Sequence, residues 1–112
     1  MKPGQKFRNA LKNNKPLIIP GTINAYSAKL AEIANHNSIY LSGSGVAAAS
    51  YGLPDLGVTT LENVLIDAKR ITSATSLPLL VDIDTGWGDF DAISNTIIAV
   101  SYTHLRAHET DI

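Results

Sequence analysis

The chain has 112 residues, a formal net charge of −1, 17% charged residues and no cysteine. That is enough for one small domain, carries no basic footprint for nucleic acid or an anionic membrane, and excludes a disulfide scaffold, a thiolate zinc site and a cysteine nucleophile within these residues. No apolar run reaches the length of a membrane span, and the first residues lack the charged-then-apolar pattern of a secretory signal, so the expectation is a cytoplasmic protein with no nucleic-acid or membrane partner.

Residues 1–15 are polar and basic, with Phe7, Ala10 and Leu11 at helical spacing, which predicts a short amphipathic helix packed as a lid or plug. The run Pro16-Leu17-Ile18-Ile19-Pro20-Gly21 reads as a first strand ending in a turn. Thr22, Asn24 and Ser27 are capping residue types. Ala25 to Asn35 reads as an alanine-rich helix with Leu30, Ile33 and Ala34 on one side. Asn35-His36-Asn37 breaks it, and His36 is read as a cap for helix carbonyls rather than a ligand.

A second strand is expected over Ser38 to Ser42, running into Gly43-Ser44-Gly45 and the small-residue run Val46 to Ser50. The third glycine and ribose-binding acid of a dinucleotide fingerprint are missing, as is the Gly-Lys-Ser/Thr of a phosphate loop. What remains is either an ordinary strand–helix turn or a turn whose backbone donors suit a carboxylate. Tyr51 to Gly57 is a loop punctuated by Gly52, Pro54 and Gly57, with Asp55 inside it. Thr59 and Glu62 have capping-box spacing, and Leu61, Val64, Leu65, Ala68 and Ile71 predict an amphipathic helix ending near Thr72–Ser76.

The stretch Leu77 to Gly88 is an apolar run bounded by Pro78 and Gly86, read as a strand buried on both faces. Its end carries Asp82 and Asp84, which strand alternation places on one side with Ile83 on the other. Paired carboxylates in a partly dry setting call for a counter-charge, and a hard divalent cation with oxygen ligands supplies one. The alternative is that both acids cap the next helix or face water. Three strands separated by helical stretches give a βαβαβ pattern and a parallel sheet with right-handed crossovers. The carboxyl ends of such strands share one edge, and here that edge gathers Gly21-Thr22, Ser42-Gly43-Ser44 and Asp82/Asp84.

The segments Gly21-Thr22-Ile23-Asn24-Ala25, Ile39 to Gly43, Gly52-Leu53-Pro54-Asp55-Leu56-Gly57 and Leu79 to Gly86 together resemble the N-terminal part of the 2-methylisocitrate lyases, a family of the isocitrate lyase and phosphoenolpyruvate mutase superfamily. The resemblance runs from Lys2 to Gly88. It implies an α/β fold, an incomplete (β/α)8 TIM barrel comprising about the first three β/α units. It also implies a Mg²⁺-dependent (or Mn²⁺-dependent) carbon–carbon lyase that cleaves 2-methylisocitrate to pyruvate and succinate in the methylcitrate cycle of propionate catabolism. By the same resemblance, Ser42, Gly43 and Ser44 hold the carboxylate of a di- or tricarboxylate substrate and Tyr40 walls the pocket. Asp82 and Asp84 hold the metal. Asp55 is the catalytic residue, bonding the metal's hydration shell and positioning the reacting alkoxide. Many relatives carry Gly or Ala where this chain has Ser44. The full-length parent is expected to be a homotetramer.

The family's cysteine loop and its later acidic and arginine ligands are not in these residues, and a barrel needs about 250 residues. The expectation is therefore a truncated chain without lyase activity of its own. Siblings that handle phosphonates or decarboxylate oxaloacetate, and a non-catalytic barrel fragment, remain as alternatives. Residues 1–99 are assigned to the barrel, with a helix starting near Asp89. Residues 100–112 are read as a non-native tail, because Val100 to Thr110 resembles a translated transposon-type sequencing adapter. In that tail His104 and His108 share helical spacing, but Glu109 follows the second histidine, so no metalloprotease motif exists.

Overall fold

A computed structural model describes residues 2–54, 60–82, 91 and 98. The order is α1 (Pro3–Asn13), α2 (Ala25–Ile33), β1 (Ile39–Leu41), α3 (Gly43–Tyr51), α4 (Leu61–Ala74) and β2 (Leu79–Val81). The two strands are parallel neighbours with Ile39 opposite Leu79, Tyr40 opposite Leu80 and Leu41 opposite Val81. The connection between them carries α3 and α4, as a parallel pair requires. No helix among the described residues is long and apolar enough to cross a membrane.

The expected first strand is reduced to a single parallel bridge between Gly21 and Tyr40. The Tyr40 amide donates to Pro20 O at 2.9 Å and the Thr22 amide to Tyr40 O at 2.7 Å. Pro16 and Pro20 have no N–H to give to a ladder, which limits pairing to the end of the segment. The direction and neighbour are those the pattern predicts.

Each helix start has a local cause. Pro3 occupies the first turn of α1, where its missing N–H is not needed. Asn24 caps α2 in a reciprocal box with Ser27. Asn35 closes α2 in the left-handed region, φ 67°. The Asn35 amide then donates to Glu32 O and the His36 amide to Ala31 O. This is a Schellman ending made by backbone, so the cap expected of His36 comes from its N–H. The box of α4 uses Thr60 and Asn63, one residue beyond the expected Thr59 and Glu62. The Asn63 side-chain oxygen accepts the Thr60 amide at 2.8 Å, which fixes the later start.

The core is one cluster of Ala28, Ala31, Ile39, Leu41, Val46, Val64, Ala68, Ile71 and Leu79, between the helices and one face of the strands. α2 therefore buries Ala28 and Ala31, not the expected side of Leu30 and Ile33. Small side chains let α2 lie close to α4. β2 is buried on one face only: Leu79 is in the core while Leu80 is 40% exposed. α1 sits at the amino ends of the strands, where Lys6 Nζ donates to Ser76 O at 3.2 Å and Asn37 Nδ2 to Asn14 Oδ1 at 3.4 Å.

Candidate active site

Strand alternation sorts β1 and β2 into two faces. Ile39, Leu41 and Leu79 enter the core, so Tyr40, Leu80 and Asp82 lie on the opposite face of the strands. The Tyr40 hydroxyl donates to Asp82 Oδ2 at 3.3 Å across the strand pair. Asp82 extends the ladder one step past β2, its amide donating to Leu41 O at 3.0 Å. Asp82 is half-buried and held at both backbone and side chain. The residue after Leu41 is Ser42, so the carboxylate and the serine–glycine turn meet at the same strand ends.

That turn is the first turn of α3. Ser42 is the N-cap, and its Oγ accepts the Gly45 amide at 3.3 Å while Ser42 O accepts the Val46 amide at 3.0 Å. The Gly43 and Ser44 amides are first-turn donors that an α-helix does not use internally, and they lie at the positive end of the helix dipole. Gly43 is buried, yet a Cβ built on it meets nothing within 4 Å. At Gly45 the reverse holds: a Cβ would lie 2.7 Å from Ile23 Cγ2. Glycine lets Ile23 press against the first turn of α3 and tie it to the Pro20–Thr22 segment.

Five of the sequence-predicted site residues are thus placed. Tyr40 and Asp82 touch, and Ser42, Gly43 and Ser44 form the helix start beside them. Asp55 and Asp84 lie outside the described residues, as do the helix start near Asp89 and the tail from Val100, except for Asp91 and Ile98, which are helical. No group of three or more potential metal ligands occurs among the described residues. The donors present are oxygens of a carboxylate, hydroxyls and backbone amides, a set fitted to a hard cation and a carboxylate anion. In the sequence Tyr40 reads only as a wall; its contact follows from the register that sets Tyr40 against Leu80, two residues before Asp82. A cavity of about 520 Å³ lined by Lys6, Asn9, Asn13, Asn14, Asn37 and Ser76 lies at the other end of the strands, beside α1 and away from these groups.

The sequence profile of the phosphoenolpyruvate phosphomutase family matches residues 7–106. The chain belongs to that family. The 2-methylisocitrate lyase of Shewanella oneidensis is 60% identical over 108 residues, covering 92% of this chain and 37% of that protein. This bears out the resemblance to the 2-methylisocitrate lyases. Among solved structures, 2,3-dimethylmalate lyase, described as a member of the PEP mutase/isocitrate lyase superfamily, superposes with a TM-score of 0.81 at 31% identity, over 93% of this chain and 37% of that one. Phosphonopyruvate hydrolase, solved in complex with oxalate and Mg²⁺, gives a TM-score of 0.77 at 31% identity, over 93% of this chain and 36% of that one. The α/β fold of this chain is therefore that of the matching part of the family's solved members. It spans about a third of the length of the relatives it matches.

Proposed function

We propose that this chain forms the first three β/α units of a Mg²⁺-dependent (or Mn²⁺-dependent) TIM-barrel lyase that cleaves 2-methylisocitrate to pyruvate and succinate. The observation that carries the reading is the contact of Tyr40 with Asp82 at the strand ends that also start α3. Identity of 60% to a 2-methylisocitrate lyase supports this substrate over those of the phosphonate and oxaloacetate siblings.

In this reading Asp82 and Asp84 would hold the cation, and Asp55 would bond its hydration shell. When bound, the cation stabilises the enolate charge that develops on the pyruvate fragment. Tyr40 fixes the rotation of the Asp82 carboxylate through its hydroxyl. The Gly43 and Ser44 amides receive a substrate carboxylate. The Ser42 hydroxyl, already accepting from Gly45, donates its own proton to the same group. These contacts orient the substrate and neutralise charge; they do not supply the proton for the leaving carbon. The parent's tetrameric state belongs to the same proposal.

Amide NMR tests the carboxylate site. With Mg²⁺ and oxalate added, the Gly43 and Ser44 amide resonances shift most, and Ser42→Ala weakens the effect. Unchanged Gly43 and Ser44 resonances at saturating oxalate would defeat the assignment. The proposal also retains residues 100–112 as non-native; the family match runs to residue 106, into that stretch. Mapping the source nucleotides decides it, and one continuous genomic locus encoding the tail refutes it.

A further inference from the structure

The stripe of α1 that faces the strands is polar. Lys6, Asn9, Ala10 and Asn13 recur at the spacing of one helical face, and all four line the cavity of about 520 Å³ at the amino ends of the strands. Ala10 is the one buried residue of this helix. Asn14 and Asn37 complete the amide lining: Asn37 Nδ2 donates to Asn14 Oδ1 at 3.4 Å, and Asn14 Nδ2 donates to Ala10 O at 2.9 Å. Lys6 Nζ reaches Ser76 O at 3.2 Å. A helix docked through an apolar stripe closes against its neighbour; this one leaves a cavity walled by an ammonium and amides.

We propose that this cavity binds a small phosphate-bearing molecule, at a site separate from the strand ends that carry Asp82 and Ser42. The lining has donors to spare. An ammonium has three and an amide nitrogen two, so Lys6, Asn14 and Asn37 each keep N–H groups beyond the bonds above. Among the described residues no carboxylate lines the cavity, and the Glu32 carboxylate, on α2, accepts the Thr75 hydroxyl. The surrounding charge has the same sign. Residues 1–15 contain Lys2, Lys6, Arg8, Lys12 and Lys15 and no acid, although the whole chain is −1, so positive potential collects at this pole. The cation in the lining is a lysine, a point charge suited to phosphate, and not the arginine fork that matches a carboxylate in two bonds. The volume falls within the roughly 300–1,000 Å³ of small-molecule sites, which leaves room for the organic part of a phosphate ester. None of this depends on the lyase reading.

Amide NMR of the 112-residue chain, titrated with inorganic phosphate and with glycerol 3-phosphate, provides the test. The side-chain amides of Asn13 and Asn37 and the backbone amides of α1 shift and saturate, while those of Gly43 and Ser44 stay in place. Lys6→Gln lowers the affinity at least about tenfold, the loss of a charge-assisted bond. Asn13→Asp sets a negative charge in the lining and also weakens binding; its circular dichroism is unchanged, because Asn13 is exposed. Lys69→Gln makes the same charge change as Lys6→Gln at an exposed position of α4 and leaves the affinity as it was. Tighter binding of glycerol 3-phosphate assigns the rest of the cavity to the organic part, and equal affinities assign the site to the phosphate group alone. The inference is overturned by shifts that never saturate, by equal effects of Lys6→Gln and Lys69→Gln, or by the largest shifts falling at Gly43 and Ser44. An absent oxalate response at Gly43 and Ser44 sinks the carboxylate site proposed above and leaves this one standing.

Discussion

Replacing Gly45 by alanine sets two effects of known size against each other. The new methyl would sit 2.7 Å from Ile23 Cγ2, where apolar carbons prefer about 3.5–4.0 Å. Relieving an overlap of that size costs about 1–3 kcal/mol in a packed setting. The helix gains about 0.5–1 kcal/mol on losing a glycine. Ile23 is 37% exposed and has solvent to move into, so the lower part of the first range applies. The net is a destabilisation of about 0.5 kcal/mol. Ile23→Ala removes the clashing atom, so in that background Gly45→Ala becomes neutral or stabilising by up to about 1 kcal/mol. Urea unfolding of the four proteins, followed by far-UV circular dichroism with constant m-values, reads the cycle directly. The same loss in both backgrounds, or a gain in the wild-type background, would refute the packing argument. It would also remove the reason given for the placement of the α3 start.

Two further outcomes are expected from the same assay. Asp67 is 3% exposed and accepts the Ser50 hydroxyl at 2.6 Å. Ser50→Ala strips that carboxylate of a charge-assisted bond and costs about 1.5–3 kcal/mol, whereas Arg70→Ala, removing a 3.6 Å ion pair from an exposed side chain, costs under about 1 kcal/mol. Equal costs for the two would show that the serine bond is not what holds α3 to α4. Thr60→Ala breaks the α4 cap and costs about 1 kcal/mol, while Thr60→Ser retains most of it.

Periodicity made α4 legible, because Val64, Ala68 and Ile71 recur on one face whichever residue caps the helix. Alternation did the same for Asp82, whose side is fixed by Leu79 and Val81 entering the other. It failed for α2. There the large apolar residues suggested the core side, but the core takes Ala28 and Ala31, because two helices that approach closely select for small volume rather than hydrophobicity. The first strand was legible in place and direction but not in length, since prolines withhold the donors that a ladder needs. The start of α3 reads in the sequence as a turn with a small-residue run. Ser42 ahead of an alanine run is an N-cap signal, and the glycines between them masked it. The Tyr40–Asp82 contact depends on register between strands far apart in sequence, which no local pattern encodes. Family kinship, by contrast, was carried by four ordered motifs that local physics does not explain.

The central claim is that the ends of β1 and β2 gather an oxygen site for a hard cation, with Asp82 at its centre. Calorimetric titration of the chain with Mn²⁺ and Mg²⁺, beside Asp82→Asn, tests it most directly. The account predicts saturable binding at one site by the native chain and an affinity at least about tenfold weaker in the variant, because the neutral amide cannot replace a charged ligand. Identical isotherms for the two proteins, or no binding by the native chain, would contradict it.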